Sequence, residues 1–219
     1  MLIANRNGMA VPEPLPYDAE VDYLESTGTQ WIDTGIHATQ NTTAKIKCAW
    51  MTTTNDNTVF GADNGNTWTG FILMQNTGIR FIKGGPTNTY AQRWTTFSAG
   101  QTYDIECSQN GVVIDGKLYS FNGTPRAEFY VNKPISLFGW WRNAQPWGGN
   151  VRIAYVQFFE NGSIVRDFMP VRFTNELGQS EGAMYDRANP TVGMNPDGSP
   201  RTDGLYRNRG TGAFVFPTA

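Results

Sequence analysis

Trp140, Trp141 and Trp147 crowd one short segment, Gly139-Trp140-Trp141-Arg142-Asn143-Ala144-Gln145-Pro146-Trp147-Gly148-Gly149-Asn150, interleaved with an arginine and two amides. A sugar presents apolar C–H faces edged by hydroxyls, so its site pairs a flat aromatic ring with amide and guanidinium hydrogen bonders. Both kinds of group are here. Neighbours in a strand face opposite sides, so Trp140 and Trp141 cannot both enter one core. Trp147 stands in a Pro-Trp-Gly-Gly run with too few apolar neighbours to bury its indole. The expected ligand-binding residues are therefore Trp141, Arg142, Asn143, Gln145 and Trp147. Packing of these indoles into a Trp-rich core is the competing reading. Trp68 and Trp94 lie in polar loop sequences, Asn66-Thr67-Trp68-Thr69 and Gln92-Arg93-Trp94-Thr95.

Other chemistry is thinly supplied. His37 is the single histidine of the chain, so any Ser-His-Asp or Cys-His arrangement would have to run through it. It stands beside Thr39, Gln40 and Asn41, where an exposed surface histidine is expected. One histidine and two separated cysteines do not make a tetrahedral zinc site. Calcium is a different case, because Asp56, Asp63, Asn64 and Asn66 lie in oxygen-rich loops and Asp197 precedes Gly198. Hard-cation ligation is chemically open there, yet no spaced ligand motif appears, and no metal or cofactor is assigned. Gly84-Gly85 and Gly148-Gly149 open no helix and so give no phosphate cradle. Cys48 and Cys107 occupy inward positions of two strands; they read as reduced core thiols, with a disulfide between facing strands as the alternative.

Strands must position these groups. In Ala44-Lys45-Ile46-Lys47-Cys48-Ala49-Trp50 the lysines fall on one face and Ile46, Cys48 and Trp50 on the other. The same alternation predicts that Phe71, Leu73, Ile105, Val156 and Phe158 are buried. Strands are expected over 58–61, 70–75, 79–83, 103–108, 111–114, 117–121, 136–140, 151–160 and 164–171. Asn110-Gly111, Asp115-Gly116 and Asn161-Gly162 are dipeptides of tight hairpins, whose turn positions need positive φ. No long amphipathic helix is visible. The fold expected is all-β, a two-sheet antiparallel sandwich over residues 17–219, one domain of a size such sandwiches often reach. Residues 1–16, with Pro12, Pro14 and Pro16 alternating, read as an extended arm and not as sheet strands. The long Pro- and Gly-rich stretch 187–204 is expected to be an excursion outside the core.

Two phrases at opposite ends of the chain carry a resemblance. The first is Tyr23-Leu24-Glu25-Ser26-Thr27-Gly28-Thr29-Gln30-Trp31-Ile32-Asp33-Thr34-Gly35. The second runs through Asp167-Phe168-Met169-Pro170-Val171-Arg172, Gly182-Ala183-Met184-Tyr185-Asp186 and Gly210-Thr211-Gly212-Ala213-Phe214. In type and order they resemble the concanavalin-like, laminin-G-like jelly rolls found in phage tail and bacterial surface proteins, and they bracket nearly the whole chain. The resemblance implies a jelly-roll sandwich. Such folds serve lectins, adhesins, hydrolases and structural subunits alike, so fold alone does not select a function. Glu20-Val21-Asp22-Tyr23-Leu24-Glu25 also matches the Glu-x-Asp-x-x-Glu signature of laminarinase-type endo-glucanases, where two glutamates act as nucleophile and general acid. Here the signature touches the start of the domain, and a regular strand would point Glu20 and Glu25 to opposite faces.

The expected protein is a non-enzymatic binding or structural module. The resemblance, with no apolar segment of signal-peptide length at the amino terminus, points to a phage virion component such as a tail, head-fibre or decoration protein; a bacterial cell surface is the alternative. Its expected partners are a surface glycan or other virion subunits, the latter engaged through residues 1–16 in an oligomer or assembly. An endo-glycosidase using Glu20 and Glu25, and a purely structural subunit without a glycan site, are the rival readings. A net charge of -2 leaves no basic footprint for nucleic acid, and no apolar run reaches membrane-spanning length.

Overall fold

The computed structural model describes residues 14–53, 56–65, 69–84, 89–93, 97–124, 127–142 and 145–217, and the backbone of 3–4 and 10–11; for Arg142, Gln145 and Pro146 it describes the backbone alone. Every regular element among them is a strand. Two sheets pack face to face. The smaller runs Tyr90–Arg93, Ile79–Gly84, Gly70–Gln75, Asn57–Asp63, Ser136–Leu137, Ile32–Asp33. The larger centres on Thr102–Cys107, Thr42–Trp50, Val151–Glu160, Ser163–Thr174 and Ser180–Asp186. Within both sheets the pairing is antiparallel except where Gly139–Arg142 meets Asn57–Asp63 and where Met194 meets Tyr206.

Alternation accounts for the interior. Ile46, Cys48, Trp50, Phe71, Leu73, Ile105, Val156 and Phe158 are all buried, while Lys45 and Lys47 stay exposed between them. Phe60 meets Phe158 edge to face at 5.4 Å and so joins the two sheets. Each such ring removed from water contributes roughly 1.5–3 kcal/mol. Trp50 donates its indole N–H to the Asn57 carbonyl at 2.9 Å, so its burial leaves no orphan donor. At the Asp115-Gly116 and Asn161-Gly162 hairpins both residues have positive φ, as the dipeptides predict.

The two phrases that carry the resemblance are clasped together. Gln30 Oε1 accepts from Thr27 N at 2.8 Å, Ser26 Oγ at 3.1 Å and Thr27 Oγ1 at 3.2 Å, which closes the Ser-Thr-Gly-Thr turn. Its Nε2 then reaches the far end of the chain and donates to the Thr211 carbonyl at 3.0 Å. Thr211 N donates back to the Thr29 carbonyl at 3.1 Å. A side chain at Gly210 would run into that same carbonyl, so glycine is required at this approach. The neighbouring Arg209 N bonds the Trp31 carbonyl, and Arg209 Nη1 lies 2.6 Å from Asp33 Oδ2. On the opposite side of the sandwich, Asn122 N donates to the Tyr90 carbonyl at 2.9 Å, joining the edge strand of the smaller sheet to the segment after Lys117–Ser120. Both open sides are thereby stitched, which protects edges that would otherwise offer unpaired N–H and C=O groups.

Three local expectations need correction, and the reading of the cysteines is met. Ile3–Ala4 pairs antiparallel with Ala10–Val11, so part of the arm is a two-stranded ribbon. The alternating prolines follow it in the sequence. Residues 136–140 are not one strand. Phe138 takes a φ of 63°, and the chain reverses there between Ser136–Leu137 and Gly139–Arg142. The excursion after Asp186 is not wholly outside the sheets, since Gly193–Met194 and Pro200–Arg201 extend the edge of the larger one. Cys48 lies opposite Tyr103, and Cys107 opposite Ala44, on adjacent strands, an offset of four residues that places their backbone positions about 13 Å apart along the strands, beyond disulfide reach. Both are free, buried core thiols, as expected.

Candidate functional site

The strained residue Phe138 builds the site. A bulky side chain at positive φ is uncommon and persists only where its surroundings hold it. Phe138 is fully buried against Phe214, with ring centroids 4.6 Å apart, and its N–H donates to the Val59 carbonyl at 2.7 Å. The reversal throws Gly139–Arg142 back alongside Asn57–Asp63, and Gln145–Gly148 pairs with it as a hairpin. Gly148 and Gly149 seat the base of this hairpin. A Cβ on the first would meet the Gly28 carbonyl, and on the second the Thr58 carbonyl. The two glycines are backbone-approach positions.

The hairpin register decides which tryptophans act together. Trp140 lies opposite Trp147, and Trp141 opposite Pro146. Cross-strand partners share a face. The Trp140 and Trp147 rings accordingly stack at 6.3 Å with an interplanar angle of 12°. Trp147 is 51% exposed and Trp140 only 4%. The more buried indole of the Trp140–Trp141 pair is the one turned away from the main core. It packs with Ile72, Met74 and Ile82 in a separate cluster, with Tyr90 against it.

Read through the pairings, Trp147, Trp140, Gly61, Ile72, Ile82 and Tyr90 form one transverse row across six strands. At a strand spacing of about 4.8 Å the row is roughly 24 Å long. It occupies the outer face of the smaller sheet. Ile72 and Ile82 in its middle are buried, so the accessible surface lies at its ends. At one end is Trp147. At the other, the Arg80 guanidinium sits 3.9 Å over the Tyr90 ring, and Arg80 Nε is buried with no hydrogen-bond partner among the described residues. Burial holds the Arg80 guanidinium below its ordinary pKa, the Tyr90 and Asp56 fields opposing that shift.

Trp141 faces the other way. It meets Trp31 edge to face at 5.2 Å, packs on the main core, and has the Lys133 ammonium 5.8 Å from its ring centre. Its indole N–H is buried without a partner among the described residues. Trp141 and Trp147 are therefore not one platform. Arg142 and Gln145 are paired across the hairpin, and Asn143 lies outside the described residues, as do Asn66, Trp68 and Trp94. Tyr90, Arg80 and Trp140 are the site residues that sequence reasoning missed.

The remaining candidates are occupied by structural contacts. Glu20 pairs in register with Val171 and Glu25 with Arg152, on two separate short strands against different neighbours. Glu25 Oε2 accepts both Arg152 Nη2 at 2.8 Å and Nε at 3.1 Å, and Glu20 receives the Tyr17 hydroxyl at 3.4 Å. His37 is exposed, stacked on Tyr130 at 5.5 Å, with Nδ1 3.1 Å from the Val131 carbonyl. Asn64 bridges the Tyr130 carbonyl and Asn132 N. Asp197 caps Ser199, and Asp56 accepts from Asn76. Among the described residues no group of three His, Cys, Asp or Glu side chains is placed to hold a metal ion, and no helix is long and apolar enough to cross a membrane. No protein-family model matches this chain, and no curated protein sequence matches it.

Proposed function

We propose that this protein is a non-enzymatic binding module of a phage virion, and that it engages a glycan through Trp147 stacked on Trp140. One observation carries the reading: a half-exposed indole, backed by a second ring, stands on a hairpin fixed by a buried strained residue and two close backbone approaches. A sugar face laid on such a ring meets a surface already ordered, so little side-chain entropy is lost on binding. Arg80 and Tyr90 supply a guanidinium and a hydroxyl on the same sheet face. The pairing of Glu25 with Arg152 argues against that carboxylate as a nucleophile, since its lone pairs face a fixed cation. Residues 1–16 would then join the module to neighbouring subunits, leaving the smaller sheet outward.

A glycan array probed with the wild-type protein and with Trp147→Ala tests this. A stacked ring contributes on the order of 1 kcal/mol, so the substitution is expected to weaken binding about fivefold with the melting temperature nearly unchanged. Undiminished binding by Trp147→Ala, or hydrolysis of a glycan by the wild type that Glu25→Gln abolishes, overturns the reading.

A further inference from the structure

The outer face of the larger sheet holds a cavity of about 340 Å³, lined by Asp22, Tyr23, Lys47, Ala49, Thr102 and Arg152 among others. Its position follows from the strand register. Thr102, Ala49, Arg152 and Glu25 form one row across four strands. The next row carries Asp104, Lys47 and Tyr155. Between them the central strand Val151–Glu160 slips register from Ile153 to Tyr155, so that Ala154 is an extra residue. Such a bulge bends the strand and re-aims its side chains. Alanines at 49 and 154 then leave a floor among the longer side chains of Lys47, Arg152 and Tyr155.

The walls are unusual in what they leave unused. Arg152 gives Nε and Nη2 to Glu25, and its guanidinium lies 3.9 Å over the Tyr23 ring, so it is held in place while Nη1 has no hydrogen bond among the described residues. The side chains of Asp22, Lys47 and Thr102 form no hydrogen bond or ion pair among the described residues. The contrast with Lys45 is direct: one row further on, it pairs with Glu106 at 3.4 Å. A larger cleft of about 510 Å³ between Gln179–Gly182 and Asn208–Phe214 lacks this property. There Gln179 and Glu181 hold Asn175, and Asn208 holds Gly210 and Gly212.

We infer that the cavity at Tyr23, Lys47 and Arg152 is a binding site for a single neutral hexopyranose ring. Two cations, Lys47 and Arg152, stand among three carboxylates, Asp22, Glu25 and Asp104, the last facing Lys47 from the adjacent strand. The excess of one negative charge disfavours an anionic ligand, and among the described residues no three acidic side chains are placed to hold a metal ion. Donors at Lys47, Arg152 Nη1 and Thr102 and an acceptor at Asp22, all unpaired among the described residues, and a floor of alanine methyls match the alternating hydroxyls and C–H groups of a sugar. The volume lies at the low end of small-molecule sites, roughly 300–1,000 Å³, which suits one ring. This site is on the other sheet from Trp147 and does not depend on it.

Amide spectra of the labelled full chain, titrated with D-glucose, D-galactose, D-mannose and N-acetyl-D-glucosamine, test the inference, with glycerol and sodium glucuronate as controls. At least one hexose is expected to shift the Tyr23, Lys47, Thr102 and Arg152 amides saturably. Lys47→Ala and Asp22→Ala, both at exposed side chains, should each weaken the effect about fivefold, the loss expected for one hydrogen bond. Ala49→Leu should block it, and Trp147→Ala should leave it intact. No saturable shift with any of the four sugars, an equal response to glycerol, tighter binding of glucuronate, or full retention in Lys47→Ala and Asp22→Ala overturns the assignment.

Discussion

The clasp between Ser26–Gln30 and Asn208–Gly212 and the hairpin bearing Trp140 and Trp147 are fixed by similar means and put to opposite uses. Each relies on a glycine that lets one backbone touch another, and each lies where the chain crosses between sheets. In the clasp the polar ends of Gln30, Asn208 and Arg209 turn inward upon the protein. Gln30 spends both ends of its amide, Asp33 takes Arg209, and Asn208 takes Trp31 N and Gly210 N. In the hairpin the fixed backbone carries a large ring outward. The difference teaches that the clasp residues Gln30, Asn208 and Arg209 hold the chain closed, while the indole proposed for recognition stands on a hairpin outside both phrases.

The comparison breaks first if the closing end proves dispensable. Asp186, fully buried, accepts from Asp167 N, Ala188 N and Asn189 Nδ2, and its Oδ2 lies 3.5 Å from Arg166 Nε. Asp186→Ala strands a guanidinium and several donors, so unfolding by denaturant should show a loss of about 3–5 kcal/mol. A loss below about 1 kcal/mol would show that the buried Asp186 contacts do not hold the closing end.

Lys83 offers a buried charge inside the sandwich, outside both regions. Its ammonium donates to the Thr42 carbonyl at 2.6 Å and lies 5.9 Å from the Phe71 ring, and burial pushes its pKa down to about 8. The folded-state value lies below the unfolded one, so the unfolded chain binds the proton more tightly. The resulting destabilisation is complete below pH 8 and fades as the pH approaches about 10.5. Measured against Lys83→Met, wild-type stability should gain roughly 2–3 kcal/mol across that interval. A pH-independent difference between the two proteins would mean that Lys83 is solvated in the folded state.

Gln30→Ala sharpens the contrast more gently. It leaves Thr27 N and the Thr211 carbonyl without their partner, a loss expected at about 1–3 kcal/mol. Glycan binding at Trp147 should be unchanged in the folded variant. Loss of binding with stability retained would instead place recognition at the clasp.

These regions differ in legibility for a physical reason. Strands such as Thr42–Trp50 and Thr102–Cys107 write their faces into the chain, because one side is buried and the other charged. The hairpins at Asp115-Gly116 and Asn161-Gly162 are legible because residue type reports φ there. Phe138 gives no such report. Phenylalanine rarely adopts its φ of 63°, and only the tertiary contacts with Phe214 and Val59 impose it. That one angle turns the stretch 136–140 from a strand into a reversal. It also sets the register that pairs Trp147 with Trp140 and leaves Trp141 on the opposite face. The row from Trp147 to Tyr90 depends on five successive registers, and no single segment of sequence contains it.

The smallest effect is expected at Trp141, and it separates the two faces of the hairpin. Its ring edge meets Trp31, and its N–H is buried without a partner among the described residues. Trp141→Phe keeps an aromatic edge-to-face contact, removes the unsatisfied donor, and gives up part of the buried ring. An unpaired buried donor costs about 1–3 kcal/mol, and the apolar area lost is worth a similar amount in the opposite direction. Stability should therefore change by less than about 1 kcal/mol, and glycan binding should remain at the wild-type level, because the residue faces the core and not the Trp147 platform. Binding weakened as much as in Trp147→Ala would show that both faces of the hairpin take part, and the contrast between an inward-bound and an outward-bound indole would fall with it.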